Sequence, residues 1–238
     1  MRLHLDRQAT GHPKIVTFSG VDGAGKSTQI GNLYTHLTQA GFRVLVLAFW
    51  DHVAMLGPSR ELMSRKLLKG DGGVGAPAAP VDRRDKNVRS WYLTPVRFFL
   101  YFLDAISLRF AVAKTRKTDT DVLIFDRYLY DELANLSLEG PIRRAYFRLL
   151  LKLAPQPDVA YLLDADPFEA CARKPEYPLD FIHSNRASYL ALSRLMGGIT
   201  VIDPLGKSAV EQMVCEEMWK HLPPGDPAVL ARSNRVAN

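Results

Sequence analysis

The stretch Ile15-Val16-Thr17-Phe18-Ser19-Gly20-Val21-Asp22-Gly23-Ala24-Gly25-Lys26-Ser27-Thr28 decides the fold. It opens on a short apolar run, Gly20 through Ser27 fit G-x-x-x-x-G-K-[ST], and beyond it Ile30, Leu33, Tyr34 and Leu37 recur at helical spacing before Gly41. Strand, glycine-rich loop and amphipathic helix in that order are the context this motif requires. The glycines let the backbone curl closely around an anion, so that successive N–H groups face it at a helix N-terminus. Lys26 is expected to bridge the β and γ phosphates of a nucleoside triphosphate and Ser27 to ligate Mg²⁺, with Gly20, Gly23, Ala24, Gly25 and Thr28 completing the cradle. A glycine-rich turn beside a solvated lysine is the alternative.

Four more apolar runs follow: Val44 to Phe49, Val122 to Phe125, Val159 to Leu163 and Ile199 to Ile202. They are continuous rather than alternating, as strands covered on both faces are, and helical segments separate them. The expectation is an α/β domain over residues 14–222 with a five-stranded parallel sheet flanked by helices, preceded by an arm over 1–13. The Gly-, Ala- and Pro-dense segment at 70–82 reads as a flexible loop insertion and 223–238 as a polar tail. The run ending at Phe125 is followed by Asp126, which places a carboxylate at the carboxyl edge of a buried strand, where open α/β sheets bind ligands. Asp126 is a candidate Mg²⁺ partner; capping the helix expected to open at Tyr128 is its other possible role.

At 238 residues and 47% hydrophobic content, the chain can bury one substantial core. A net charge of +6 is spread among 25 acidic residues, which favours phosphate-bearing small molecules over a nucleic-acid surface. Two cysteines, Cys171 and Cys215, and a start without a secretory signal point to a reducing, cytoplasmic setting. Trp91 to Ala113 is long enough to span a bilayer, but it carries Arg97, Asp104 and Arg109. Each charge costs about 2.5–3.5 kcal/mol at the bilayer centre, so a buried or dimer-forming helix is the better reading.

Three segments together resemble the thymidylate kinases: Phe18 through Thr28, Asp126-Arg127-Tyr128 after its apolar strand, and Asn185-Arg186-Ala187-Ser188-Tyr189-Leu190. The resemblance runs from about Ile15 to Leu222. It implies a three-layer P-loop NTPase fold, ATP as donor, a nucleoside monophosphate as acceptor, a lid over the phosphates and a homodimer; no membrane or nucleic-acid partner is expected, from the dispersed charge and the charges within 91–113. By the same resemblance, Asp22 approaches the acceptor sugar and phosphate, Arg127 contacts the acceptor phosphate, and Tyr128 packs on the sugar. A surface ion pair is the alternative for Arg127. Family members with glycine at the position of Gly23 carry a catalytic arginine in the lid. Here the lid would be residues 173–180, with Arg173 as first candidate, Lys174 second, and Arg186 behind it as a phosphate or adenine contact.

The departures concern the acceptor. Phe49-Trp50-Asp51-His52 stands where the family often has Pro and Arg, leaving His52 or Arg60 to substitute, with Asp51 a further acceptor-side candidate. The family sets an arginine four residues after a base-stacking phenylalanine. Here Phe98 is followed by Phe102, and Phe102 by Ile106. After Asp126-Arg127-Tyr128 the family prefers serine and then Tyr-Gln, whereas this chain has Asp131 and then Asn135-Leu136. A pyrimidine deoxynucleotide such as dTMP remains the first acceptor. A nucleoside or other hydroxyl acceptor is the runner-up, with Asp51 or Asp131 as general base. A nucleotide-binding module without turnover is the reading from a different class.

Overall fold

Each apolar run in the sequence is a strand of one parallel sheet. In the computed structural model, which describes residues 12–54, 94–136 and 140–222, the strands are β1 (Lys14–Ser19), β2 (Val44–Ala48), β3 (Val122–Asp126), β4 (Val159–Leu163) and β5 (Ile199–Ile202). Their order is β2-β3-β1-β4-β5, so β1 and the loop that follows it lie at the centre. The arm up to residue 11, the segment 70–82, Arg60 and the tail 223–238 lie outside the described residues.

The continuity of the runs has a direct packing cause. Along β1 and β3, Val16, Phe18, Val122 and Ile124 face one core, while Ile15, Leu123 and Phe125 face the other. Every position therefore has apolar surroundings, and each such fully buried large side chain contributes roughly 1.5–3 kcal/mol. On the first face lie α1 (Lys26–Gln39) and α7 (Lys207–Lys220). On the second lie α2 (Thr94–Thr115), the short α3 (Leu129–Leu133) and α4 (Pro141–Leu153). Between β4 and β5 come α5 (Pro167–Arg173) and α6 (Leu179–Met196); α6 contributes Ile182 and Tyr189 to the first core and Leu192 to the second.

Local signals set the helix ends. Gly41, at φ 88°, turns the chain out of α1, and the Phe42 N–H closes on the Leu37 carbonyl at 3.0 Å. Asp166 caps α5 by accepting from the N–H groups of Phe168 and Glu169. Two expectations are corrected. Tyr34, read as part of the apolar stripe of α1, is 42% exposed, the stripe being Ile30, Leu33 and Leu37. Phe49 does not extend β2; it begins a π-helical turn, Phe49–Val53. No helix among the described residues is long and apolar enough to cross a membrane; the candidate span is α2, which packs on α4.

Candidate functional site

Parallel strands bring their carboxyl ends to one edge, so the loop after β1, the turn after β3 and the end of β4 meet there. Gly25 takes φ 88° as the residue preceding α1. No side chain caps α1, and its first turn carries no acidic residue. Its leading N–H groups and the positive end of the helix dipole thus form a seat for an anion. Lys26, only 6% exposed, donates to the carbonyls of Gly20 at 2.7 Å and Val21 at 2.8 Å, which holds its ammonium across the loop. Ala24 is buried, whereas Ser27 and Thr28 are exposed at the start of the helix.

Two glycines of the loop meet a demand the sequence alone does not show. A Cβ on Gly20 would lie 2.4 Å from the Leu163 carbonyl oxygen, and one on Gly23 2.3 Å from the Ala170 oxygen in α5. The loop is therefore fitted closely against β4 and α5. Gly23→Ala, at φ 87°, is expected to cost ~1–3 kcal/mol in backbone strain alone and to push the loop off α5. The check is a urea midpoint below that of wild type together with weakened nucleotide affinity.

Asp126 ends β3 in register with Phe18 of β1, two residues before Gly20. Burial raises its pKa, Arg127 and Lys26 oppose that rise, and Asp131 and Asp22 add to it. It does not cap α3; the residue at that cap is Tyr128, whose N–H is held by Asp131. Next to it, Arg127 adopts φ 69°, the only positive φ outside glycine among the described residues. Its N–H bonds to the Phe18 carbonyl at 2.9 Å, and its guanidinium reaches Asp22 of the loop and Asp131, the latter at 3.4 Å. A non-glycine residue in this region costs about 1–3 kcal/mol, and such outliers cluster at functional sites. Burial works against the charge of Arg127, but the carboxylates of Asp22 and Asp131 outweigh it and hold the arginine more firmly protonated than a free one. This is a buried ion-pair network and not a surface pair.

The expected lid is an elbow. Arg173 is the last residue of α5, α6 starts at Leu179, and within the elbow Pro175, Glu176 and Tyr177 are buried. Tyr177 belongs to the first core, where its ring packs on Phe181. The basic side chains at the start project: Arg173 donates to the Gly23 carbonyl at 3.0 Å and pairs with Glu169, and Lys174 stands 3.3 Å from Glu176 and 4.0 Å from Asp22. Arg186 makes two bonds of 2.6 Å to Asp164. Beside these, Ala24, Asp164, Arg173, Pro204 and Leu205 line a cleft of about 40 Å³, well under the ~300–1,000 Å³ of ligand pockets. A nucleobase would have to open it.

On the acceptor side the sequence-based set is only partly brought together. Tyr128 is fully buried against Phe125 and Tyr130, with its hydroxyl on the Pro155 carbonyl. That corrects the sugar-packing expectation, since the side chain is a core residue. Phe98 packs on Tyr146 with ring centroids 4.6 Å apart, Tyr101 is in the core, Phe99 is 63% exposed, and Phe102 is partly buried. Asp51 is exposed on the π-helical turn.

Three polar groups make contacts that the sequence does not announce. Arg97 donates to the Tyr101 hydroxyl at 2.8 Å and to the Asn135 carbonyl, Asn185 donates to the Asn135 side chain, and Tyr189 donates to Asp131 at 2.8 Å. For Arg127 and Asp131 the i,i+4 spacing of opposite charges was the available signal. Arg97 and Tyr101 are likewise four apart on one helix, whereas the contacts of Arg97 and Asn185 with Asn135 and of Tyr189 with Asp131 join residues distant in sequence and leave no local mark.

The chain is similar to known proteins in sequence and in fold. A family model described as methylmalonyl Co-A mutase-associated GTPase MeaB matches residues 3–59, which hold β1, the loop, α1 and β2. The chain is 28% identical over 181 residues to a probable thymidylate kinase of Methanobrevibacter smithii, covering 74% of this chain and 79% of that one. It is 27% identical over 164 residues to a thymidylate kinase of Chlorobium luteolum, covering 67% and 66%. Among solved structures, the thymidylate kinase of Candida albicans superposes with a TM-score of 0.55 at 16% identity, covering 90% of this chain and 96% of that one, which establishes a shared fold.

Proposed function

We propose that this chain, a divergent thymidylate kinase-like protein, transfers a phosphoryl group from ATP to a nucleoside monophosphate, with dTMP or a related pyrimidine deoxynucleotide as the first acceptor to test. The observation that carries the reading is Arg127: a half-buried, firmly protonated guanidinium held beside the phosphate-binding loop by a turn the backbone adopts at a cost. A phosphate-bearing acceptor needs such a group. Catalysis then consists of positioning and charge neutralisation around a loose transition state, so no covalent nucleophile is required.

The loop and the α1 N-terminus would hold the donor phosphates, Lys26 would neutralise charge between donor and acceptor, and Arg173, already on the Gly23 carbonyl, would reach the transferred group. The donor set of one exposed hydroxyl at Ser27 and one carboxylate at Asp126 fits Mg²⁺, which takes few protein ligands and keeps waters and phosphate oxygens. Bound there, the ion would neutralise phosphate charge. Asp126→Asn keeps the shape and loses the charge, so it is expected to raise the Mg²⁺ concentration required for half-maximal turnover while leaving nucleotide affinity close to wild type. A Mg²⁺ titration of both proteins checks this.

A hydroxyl acceptor needs a carboxylate free to take a proton. Asp131 does not offer one, because four donors already fill its two oxygens. The exposed apolar row Val96, Phe99 and Phe110 along α2 supports the homodimer, since a second copy could cover it. The acceptor experiment is a survey of ADP formation with nucleoside monophosphates and nucleosides.

A further inference from the structure

The two carboxylates that meet Arg127 are held in different ways. Asp22 belongs to the loop that has to receive phosphate, and at its side chain Arg127 and the more distant Lys174 converge. Asp131 is 1% exposed and is tied from three directions. Its Oδ2 accepts from the Ser19 hydroxyl at 2.7 Å and the Tyr128 N–H at 2.9 Å, and its Oδ1 accepts from the Tyr189 hydroxyl at 2.8 Å and from Arg127 Nη1 at 3.4 Å. The end of β1, the turn after β3 and helix α6 thus fix one buried charge. A carboxylate offers about four acceptor positions, and all of them are used.

The consequence lies in what happens when an anion arrives. An acceptor phosphate drawn to Arg127 adds negative charge beside Asp22, which makes Asp22 the partner that yields. Asp131 has no such freedom, because moving it would strand buried hydroxyl and amide donors. A serine at this position could accept a hydrogen bond, but it could not hold a guanidinium by charge.

We propose that Asp131 is a positioning residue of the acceptor site: braced by Ser19, the Tyr128 amide and Tyr189, it fixes the Arg127 guanidinium where the acceptor phosphate binds. The proposal rests on the reading of Arg127 as the acceptor-phosphate ligand. It predicts an effect on acceptor binding, transmitted through Arg127 and absent from donor binding.

The test is a double-substitution cycle on the full chain, Asp131→Asn crossed with Arg127→Lys, reading KM for donor and for the best monophosphate in the acceptor survey, with Tm recorded. Asp131→Asn is expected to raise acceptor KM about 10-fold while donor KM stays within about 2-fold, and to change acceptor KM less than about 2-fold in the Arg127→Lys background. Tyr189→Phe, which removes one brace and keeps the ring, should show the same split at smaller size if Asp131→Asn folds poorly. Equal effects in both backgrounds, or donor and acceptor KM rising together, would overturn the proposal. If no monophosphate is an acceptor, the proposed function fails on its own. The positioning role is then decided by nitrogen-15 NMR of the arginine side chains: slow rotation of the Arg127 guanidinium that is lost in Asp131→Asn supports it, and rotation unchanged by the substitution refutes it.

Discussion

Lys26→Ala is expected to lower turnover by at least about 10²-fold in a protein that still folds, since removing one preorganised charge-stabilising donor costs ~2.7–4 kcal/mol of transition-state stabilisation. The ammonium is buried and bonded to the Gly20 and Val21 carbonyls, so it is fixed in the loop before any nucleotide arrives. Its charge already stands in the loop, and only its hydrogen bonds have to pass from those carbonyls to phosphate oxygens. Alanine removes the charge and the bridge across the loop, but leaves α1 and both cores intact, because Lys26 belongs to neither core. Steady-state rates, alongside circular dichroism to confirm the fold, give the result. Unchanged turnover in a folded variant would mean that the loop is not the catalytic phosphate site.

The second large effect falls on stability. Arg127→Ala is expected to destabilise the fold by about 3–5 kcal/mol, the loss that follows when one partner of a buried ion pair is removed and the other charge is stranded. Two carboxylates lose their arginine here. Asp131 retains its three other donors and Asp22 retains Lys174 at 4.0 Å, which places the expectation toward the lower end of that range. Relief of the backbone strain at φ 69° does not offset this, because alanine meets the same left-handed conformation. Urea denaturation of wild type, Arg127→Ala and Arg127→Lys tests the account. Lysine should recover part of the loss by restoring charge without the planar fork. If Arg127→Ala is as stable as wild type, the network has been given too much weight.

The sheet was legible because a doubly covered parallel strand leaves a continuous apolar run, and Val159 to Leu163 and Ile199 to Ile202 match β4 and β5 to the residue. The loop was legible because anion binding by backbone demands glycines at set spacings, and Gly20, Gly23 and Gly25 all take positive φ. Tyr128 misled because a tyrosine after Asp-Arg is the same letter whether its ring turns to a ligand or into the core, and its packing on Phe125 and Tyr130 decides that. The elbow at 173–180 misled for a related reason. The resemblance implies a lid there, while Tyr177, which packs the segment into the core, is one aromatic among many in the sequence. Asp131 was visible as a carboxylate, but its role depends on Ser19 and Tyr189, which are 112 and 58 residues away along the chain.

The central claim is that Arg127 equips this site for an acceptor that already carries a phosphate. The most direct measurement is coupled ADP formation by the full chain with ATP and Mg²⁺, run against the thymine, uracil, cytosine and purine monophosphates and, in parallel, their nucleosides. ADP release is expected to be stimulated by at least one monophosphate, pyrimidine deoxynucleotides first, and by none of the nucleosides. Stimulation by a nucleoside without its monophosphate, or by no acceptor at all, would contradict it.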